Sequence, residues 1–401
     1  MDERGHAAGL DRREPPEDRP AVKHIPYGRQ DITAEDIGAV EAVLRSDYLT
    51  QGPAIPAFEA AVAQACQVPH AVAVHSATAA LHLAYLALGL GPGDTVWTSP
   101  NTFVATANAA LYCGADVDFV DIDPETLNLS VPALAQRLEQ AAVAGRLPKI
   151  VTPVHFAGQS CAMQDIRALA QRYGFAVVED ASHAIGGRYL DEPIGNCRYS
   201  DITVFSFHPV KIVTTAEGGL ATTRDARLEL LRSHGITRDA ARMENPVDGP
   251  WYYEQIELGF NYRMTDLQAA LGRSQMTRLQ AYVERRHVLA RRYDEALHGL
   301  PLERVTRRAD NHSALHLYPI RLHDASRRRA VFEGLRADGI GVNVHYIPVH
   351  LQPVYRRRGF ARGQFPVAEA YYDGAISLPL FPRLGDDDQH FVIERLRHHL
   401  R

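Results

Sequence analysis

Between residues 71 and 180, short apolar runs alternate with amphipathic stretches, and this alternation limits the possible folds more than any other feature of the chain. Such strand–helix repetition predicts a mostly parallel sheet that is covered by helices on both faces. Five runs have the length of a strand: AVAVH at 71–75, TVWTSP at 95–100, DVDFVDI at 116–122, KIVTPVHF at 149–156 and FAVVED at 175–180. Two further short strands are predicted close together, in DITVFSFH at 201–208 and GGLATT at 218–223.

After about residue 266 the pattern changes, and it predicts a second, smaller α+β domain. Its elements are a long arginine-rich helix at 267–298, strands at 315–322 and 341–348, a helix at 326–337 and a last helix at 386–400. The predicted division is therefore a large domain at 23–265 and a small domain at 266–401. Residues 1–22, which are rich in Arg, Asp, Glu and Pro, are expected to form a disordered tail.

Composition excludes several classes of protein. With 46% hydrophobic and 23% charged residues, the 401-residue chain is an ordinary globular protein. The formal net charge of −5 argues against nucleic-acid binding. The first 20 residues contain ten charges and no apolar run, unlike a signal peptide, so we expect a cytoplasmic protein with no membrane partner. The four cysteines are widely spaced, which favours neither a metal site nor a redox pair.

The scarcity of lysine narrows the search for a reactive amine. Only three of the 43 basic residues are lysines, namely Lys23, Lys149 and Lys211. Arginine supplies charge but does not lose its proton to become a nucleophile. Lys23 lies close to the predicted tail and Lys149 begins a strand, whereas Lys211 lies in the polar loop SFHPVKIVTTAEGG. Lys211 is therefore the credible amine.

Polar and aromatic residues directly follow several predicted strands, where ligands of open α/β sheets bind. Each has an ordinary structural explanation as a helix cap, a core residue or a solvated loop residue, but together they suit one cofactor. Pyridoxal phosphate (PLP) needs a lysine for its aldehyde, an acid for its ring nitrogen, a helix N-terminus for its phosphate and a flat face for its ring. The matching residues are Lys211, Asp180, Ser76, Ala77 and Thr78, and Phe103, with His183 and Ser206 beside them.

Many ordered segments resemble the DegT/StrS-type nucleotide-sugar aminotransferases, from about Tyr27 to the C-terminus. They include LTQGPAIPAFE, HSATAALHLA, TSPNTFVATANAALYCGA, VDIDPETLNL, PVHFAGQSC, VEDASHAIGG, SDITVFSFHPVKIVTTAEGG, RSHGITRD and GFNYRMTDLQAALG. The HPVK, RSHGITRD and VHYIPVHLQPVY segments most resemble the branch of the family that acts in pseudaminic acid biosynthesis.

The resemblance implies a type I aminotransferase fold, with a mostly parallel seven-stranded sheet in the large domain, and a homodimer whose subunits share active sites. It implies that Lys211 forms the Schiff base, Asp180 pairs with the pyridinium nitrogen, His183 lies by the ring hydroxyl and Phe103 lies over the ring. The phosphate would contact Ser206, Ala77, Thr78 and the neighbouring Ser76, and also Asn261 of the other subunit. The implied substrate contacts are Tyr27, Asp47, Tyr48, Leu49, Thr50, His345 and Tyr346.

The implied reaction is PLP-dependent amino transfer from L-glutamate to carbon 4 of a nucleotide-linked 4-keto-6-deoxysugar, without a metal. Within the branch named above, the substrate would be UDP-2-acetamido-2,6-dideoxy-β-L-arabino-hex-4-ulose. Family members that act as 3-dehydratases have histidine where this chain has Lys211, so transamination is favoured. The alternatives are a GDP-perosamine or 4-amino-arabinose type of aminotransferase, a PLP-binding protein without catalysis, and a scaffold of the same fold.

Overall fold

The computed structural model describes residues 24–225 and 227–401, so the predicted disordered tail at 1–22 lies outside the described residues. The helices are α1 Ala34–Leu44, α2 Ala54–Cys66, α3 Ala77–Ala87, α4 Val104–Tyr112, α5 Val131–Val143, α6 Met163–Tyr173, α7 Arg227–Arg232, α8 Asp266–Met276, α9 Leu279–Ala296, α10 Arg328–Ala337, α11 Pro353–Arg356, α12 Pro366–Gly374 and α13 Asp386–Leu400. Within these described ranges, no helix is both long and apolar enough to cross a membrane.

Between residues 70 and 180 the strands alternate with the helices as the sequence pattern predicts, and later strands also follow one another directly. They are β1 His70–Val74, β2 Thr95–Thr98, β3 Asp116–Phe119, β4 Ile150–Thr152, β5 Ala176–Asp180, β6 Arg188–Tyr189, β7 Glu192–Pro193, β8 Ile202–Ser206, β9 Gly219–Thr223, β10 Ile236–Thr237, β11 Glu254–Gln255, β12 Leu302–Arg304, β13 Asn311–His312, β14 Tyr318–Leu322 and β15 Ala375–Leu378.

The main sheet has seven strands in the order β1-β9-β8-β5-β4-β2-β3. The pairs β2–β3, β2–β4, β4–β5 and β5–β8 are parallel, so the prediction of a mostly parallel sheet is confirmed. β9 is antiparallel to both of its neighbours, β1 and β8. The reason is the connection: the chain returns from β8 to β9 through a loop without a crossover helix, and parallel strands require such a crossover. That loop carries Lys211.

Burial on both faces of this sheet explains why its strands read as continuous apolar runs rather than as alternating ones. All five residues of β8 and all five of β9 are buried. On one side the sheet packs against α3, where every residue from Ala79 to Tyr85 is buried. The sheet is therefore a rigid platform for the residues at the ends of its strands.

A second core lies in the C-terminal part of the chain. It surrounds the antiparallel sheet β12-β14-β15 and includes Ile25 together with apolar residues between Leu289 and Leu400. The preceding helix, α8, packs instead against α1 and α2 of the first unit. The domain boundary near residue 265 stays a prediction.

Two predictions for the C-terminal part are wrong. The long helix at 267–298 is two helices, which are separated at Thr277 and Arg278. Arg278 leaves helical geometry there, and its guanidinium binds both carboxylate oxygens of Asp36 on α1, at 2.7 and 2.6 Å. The predicted strand at 341–348 pairs with the sheet only at Asn343, opposite Ser377, after which the chain turns toward the main sheet.

Candidate active site

The site begins where β5 and β8 end, because these two strands are parallel neighbours and their carboxyl ends lie at one edge of the sheet. Asp180, the last residue of β5, lies opposite Val204 of β8, two residues before Ser206. Lys211 follows in the loop after β8. An open α/β sheet binds its ligands outside this edge.

The Asp180 carboxylate is buried and held in place on both of its oxygens. Thr106 on α4 donates its hydroxyl proton to Oδ2 at 2.6 Å, and the backbone N–H of Ser182 donates to Oδ1 at 3.1 Å. Each carboxylate oxygen can accept more than one hydrogen bond. Asp180 can therefore accept a further proton donor without losing its present partners.

Lys211 lies in a partly buried position whose environment favours the neutral amine. Burial lowers the pKa of Lys211 to about 8, although the Asp180 carboxylate acts in the opposite direction. An ordinary lysine has a pKa of about 10.4 and is almost fully protonated near neutral pH. A lysine with a pKa of about 8 can serve both as a nucleophile and as a proton acceptor.

A cradle for an anion lies beside this pair, at the N-terminus of α3. Ser76 caps the helix by accepting the N–H of Ala79 at 3.2 Å, and the first-turn N–H groups have no acceptor within the helix. Gly219 lies in register with Val74 on one side and Ser206 on the other. A Cβ on Gly219 would lie 2.3 Å from the backbone nitrogen of Ala77, so only glycine permits this close approach. Gly219 thus lets β9 pack directly against the start of α3, with Ser206 on the neighbouring strand, and the free N–H groups of this helix N-terminus suit a phosphate group.

Phe103 provides an apolar face at the same edge. It caps α4 one turn before Thr106, and 59% of its surface is exposed, although Thr102 before it is buried and Val104 after it is half-buried. Its ring centroid lies 6.4 Å from that of Tyr346. An exposed phenylalanine at the ligand-binding edge of a sheet is able to cover the face of a flat ligand.

The structure brings His183 together with three of the predicted substrate residues. Tyr346 lies within hydrogen-bond distance of His183, with its hydroxyl oxygen 3.0 Å from Nε2. The ring of His345 lies 4.9 Å from that of Tyr346 and 5.6 Å from that of Tyr27. Nδ1 of His345 lies 2.8 Å from the hydroxyl of Ser377.

The remaining predicted residues lie elsewhere on this chain. Residues 47–50, from Asp47 through Tyr48 and Leu49 to Thr50, form an exposed loop after α1, and Thr50 pairs with Thr265 at the start of α8. Asn261 is also exposed, and its side chain makes no hydrogen bond within the described part of the chain. None of these five contacts Lys211, Asp180 or His183 through a hydrogen bond or ring contact in the described ranges.

Three residues of the site were missed by sequence reasoning. Thr106 follows Phe103 by three residues on α4, a spacing that places both on one helix face, so a signal existed. Gly219 could not be recognised, because its role depends on strands that are distant in sequence. The ring of His316 lies 4.5 Å from that of His183 in a tilted contact, and no motif or spacing connects the two.

PLP fits this set of residues. Lys211 has a lowered pKa, and the Asp180 carboxylate can accept a further hydrogen bond. Gly219 has no room for a side chain beside the start of α3. Nδ1 of His183 is buried without a hydrogen-bond partner in the described structure. Each of these features matches a separate group of the cofactor: aldehyde, ring nitrogen, phosphate and ring oxygen.

Comparison with known proteins identifies close relatives. Residues 30–397 match the DegT/DnrJ/EryC1/StrS aminotransferase family. The spore coat polysaccharide biosynthesis protein SpsC of Bacillus subtilis (strain 168) is 42% identical over 383 residues, which cover 93% of this chain and 96% of SpsC.

Solved structures also resemble this one. PseC from Helicobacter pylori, an aminotransferase involved in the biosynthesis of pseudoaminic acid, has a TM-score of 0.86 and 29% identity, with 94% of this chain and 99% of PseC covered. Spr1654 from Streptococcus pneumoniae has been solved in PLP and PMP forms. Its PLP form has a TM-score of 0.85 and 30% identity, with 94% of this chain and 99% of Spr1654 covered.

Proposed function

Since this chain belongs to the DegT/DnrJ/EryC1/StrS aminotransferase family and is a PLP-dependent sugar aminotransferase, we propose that it transfers an amino group from L-glutamate to carbon 4 of a nucleotide-linked 4-keto-6-deoxysugar. One observation carries this proposal. Lys211, whose pKa is lowered to about 8 by burial, lies beside Asp180 and next to an anion cradle at the same edge of the sheet.

The chain's own residues divide the work of the reaction. When bound, PLP supplies an aldehyde that links covalently to an amine and a ring that withdraws electrons from the reacting carbon. The neutral Lys211 amine takes the proton from the α-carbon of the amino donor and later delivers one to the sugar carbon. The Asp180 carboxylate keeps a proton on the ring nitrogen.

Binding residues position the reacting groups. Ser206, Ser76 and the first-turn N–H groups of Ala77 and Thr78 hold the phosphate, which fixes one end of the cofactor. Phe103 covers the ring and excludes water from one face. Tyr27, His345 and Tyr346 are the proposed sugar contacts: their rings contact one another, and His345 lies close enough to Lys211 to interact with its charge.

The substrate that we propose first is UDP-2-acetamido-2,6-dideoxy-β-L-arabino-hex-4-ulose, which would give UDP-4-amino-4,6-dideoxy-N-acetyl-β-L-altrosamine for pseudaminic acid biosynthesis. The similarity to PseC, at 29% identity over 94% of this chain, supports it. The 42% identity to SpsC, a spore coat polysaccharide protein, supports a second candidate, a different nucleotide-linked sugar. Both candidates use the same chemistry and differ in the sugar pocket.

The chemistry is tested by the absorbance spectrum of the purified protein, recorded with PLP before and after L-glutamate is added. We expect a visible band that converts to the near-ultraviolet band of the amine form. Lys211→Ala should lose both the band and turnover. The control is Lys149→Ala, which should keep both, because Lys149 begins a strand and forms an ion pair with Asp94 at 2.8 Å. Full turnover by Lys211→Ala would refute the proposed role of the lysine.

The substrate is tested with a panel of UDP-linked, GDP-linked and dTDP-linked 4-keto-6-deoxysugars, at equal concentrations and with glutamate in excess. The first proposal predicts the highest kcat/KM for the UDP-linked N-acetylated L-arabino sugar. A higher kcat/KM for a GDP-linked sugar, or for a UDP-linked sugar that lacks the acetamido group, would replace it with the second candidate.

A further inference from the structure

His183 is buried, and only one of its two ring nitrogens has a partner. Nε2 lies 3.0 Å from the hydroxyl oxygen of Tyr346, whereas Nδ1 is inaccessible to solvent and has no hydrogen-bond partner among the described residues. The ring is held between two others. Tyr346 lies nearly parallel to it at 6.1 Å, and His316 contacts it at 4.5 Å with the rings tilted by 45°. Rotation of the ring toward another partner would break these contacts and the bond to Tyr346.

The charges around His183 favour the neutral imidazole. From the loop after β8, Lys211 faces it with a positive charge whenever its amine is protonated. The C-terminal segments contribute His345, the phenol of Tyr346 and His316. The buried Arg286 lies behind His316, and its guanidinium donates to the carbonyl of His316 at 3.1 Å. Asp180 is the carboxylate of this region, and its oxygens accept from Thr106 and Ser182 rather than from His183.

The pKa of His183 agrees with this arrangement. Burial, and then the positive charge of Lys211, hold the pKa of His183 well below its ordinary value. Burial likewise lowers the pKa of His345 to about 3, so this neighbour is neutral too. Near neutral pH, His183 therefore has one N–H group, and the position of that proton decides which nitrogen is the donor.

Counting unmet hydrogen bonds locates the proton. If Nε2 carried it, Nε2 would donate to the Tyr346 oxygen, and the Tyr346 O–H would have no acceptor within the described ranges. Nδ1 would then be an acceptor without a donor, so two groups would be unsatisfied. If Nδ1 carries the proton, Tyr346 donates to Nε2, and only the Nδ1–H group lacks a partner. A buried unmet polar group costs about 1–3 kcal/mol, so the second arrangement is favoured.

We propose that Tyr346 is a positioning residue, whose hydroxyl donates to Nε2 of His183 and thereby fixes the proton on Nδ1, where it serves as a donor to an anionic oxygen on the ring of the bound cofactor. This inference rests on the proposed function for the identity of the acceptor. The assignment of the proton rests only on residues of this chain, and it is testable without cofactor.

The proton is located by nitrogen NMR of the full-length, cofactor-free protein labelled with ¹⁵N in its histidines. The His183 signals are identified as those that His183→Gln removes. We expect Nδ1 to give the chemical shift of a protonated ring nitrogen and Nε2 that of an unprotonated, hydrogen-bonded one. The opposite pair of shifts would overturn the proposal, whatever the cofactor does and whether or not any Tyr346 variant folds.

The consequence for the cofactor is tested with Tyr346→Phe in the PLP-loaded protein. A donor to the ring oxygen stabilises its anion, so weakening the donor should raise the pH at which the visible band changes. We expect an upward shift of about 0.5–1 pH unit, which corresponds to the loss of one hydrogen bond. Tyr293→Phe is the control, because the Tyr293 hydroxyl is buried but donates to the carbonyl of Pro379 at 2.9 Å, within the second core.

The outcomes separate this inference from the proposed function. If wild type forms the band and His183→Gln shifts its midpoint, but Tyr346→Phe leaves the midpoint at the wild-type value, the role of Tyr346 is refuted while the aminotransferase function stands. If wild type forms no band with PLP, the proposed function fails, and the NMR result alone decides the proton on His183.

Discussion

At the scale of single residues, the protonation state of Lys211 sets the pH range in which the proposed chemistry runs. Its pKa is lowered to about 8, so the amine is mostly protonated below that pH and mostly neutral above it. We expect the rate at which the cofactor-free protein forms its Schiff base with PLP to fall about tenfold per pH unit well below pH 8 and to level off above it, because only the neutral amine attacks the aldehyde. A rate that is independent of pH between 6 and 9 would contradict this role.

Asp180 gives a second prediction at this scale. In Asp180→Asn the amide oxygen can keep the bond from the Ser182 N–H, while its NH2 group faces Thr106. The Thr106 hydroxyl can accept from this NH2 and donate to the Phe103 carbonyl at 3.3 Å, so the fold and PLP binding should be kept. A neutral amide cannot hold a proton on the ring nitrogen, and we expect the single-turnover rate to fall by about 100-fold or more, as for the loss of a main acid–base group. The check is stopped-flow absorbance with glutamate. A rate within a factor of three of wild type would show that ring protonation does not depend on Asp180.

Lys211 and Asp180 could both be predicted from the sequence, but for different reasons. Lys211 could be found by elimination among three lysines, and Asp180 because it ends an apolar strand. His316 could not be found, because its contact with His183 depends on how the second domain packs on the first. Tyr346 was expected to contact substrate, but its hydrogen bond to His183 needed the fold.

At the scale of elements, the packing of β9 against the start of α3 shapes the phosphate site, and Gly219→Ala tests it. The added Cβ would lie 2.3 Å from the Ala77 nitrogen, so strand and helix must separate. We expect a loss of about 1–3 kcal/mol in the free energy of unfolding. PLP affinity should fall by about tenfold or more, since each 1.4 kcal/mol lost is tenfold in the dissociation constant.

The matched control for this glycine is Gly38→Ala in the middle of α1. A Cβ there has no neighbour within 4 Å, and alanine in a helix is favoured over glycine by roughly 0.5–1 kcal/mol. Thermal unfolding and PLP titration of both variants make the comparison. Unchanged PLP affinity in Gly219→Ala would mean that the phosphate binds elsewhere.

Asp36 on α1 binds Arg278 at the junction of α8 and α9. We expect this contact to stop stabilising the fold at acid pH. Although burial alone would raise the pKa of Asp36, hydrogen bonds from Arg278, Ser274 and the Thr33 backbone outweigh it and lower that pKa. Its stabilising contribution is therefore complete above the ordinary aspartate pKa of about 4 and is lost as the pH falls below it.

Removing the carboxylate by Asp36→Ala leaves Arg278 without its partner, and we expect a loss of about 3 kcal/mol or more at pH 7. Arg45→Gln is the control in the same helix, since its ion pair with Glu41 is exposed and should contribute less than about 1 kcal/mol. Urea unfolding at pH 7 and pH 3 measures both. The difference between wild type and Asp36→Ala should shrink at pH 3, and a constant difference would contradict the assignment.

The same junction explains why element prediction failed there. The sequence around 276–279 contains neither glycine nor proline, so its helical pattern continues without a break. The break coincides with the ion pair between Arg278 and Asp36, which are 242 residues apart in the chain, so no local pattern could have indicated it. The orientation of β9 was equally hidden, because periodicity identifies strands but not the direction in which they pair.

At the scale of the whole molecule, several exposed apolar side chains lie in the sequence segments around Asn261 and in the loop 47–50. These are the predicted site residues that make no hydrogen bond or ring contact with Lys211, Asp180 or His183 in the described ranges. Trp251 is 68% exposed and Leu258 is 80% exposed on the segment that leads to Asn261. Tyr48 and Leu49, in the other unused loop, are also more than half exposed. Large exposed aromatic and aliphatic residues are typical of a protein interface. We therefore keep the prediction that two chains associate and that each supplies Asn261 to the site of the other.

Subunit mixing tests this arrangement directly. Lys211→Ala and Asn261→Ala homodimers should each be impaired at limiting PLP. When they are unfolded, mixed in equal amounts and refolded, half of the molecules should be hybrids, each with one site that has both native residues. Activity should then recover to about a quarter of the wild-type value per site, as random pairing of a two-fold dimer requires. Mixing Lys211→Ala with Asp180→Asn provides the control: these two residues act in the same chain, so no hybrid contains an intact site. Absence of recovery in the test mixture would place Asn261 in the site of its own chain, whereas recovery in the control would contradict the assignment of Lys211 and Asp180 to one chain.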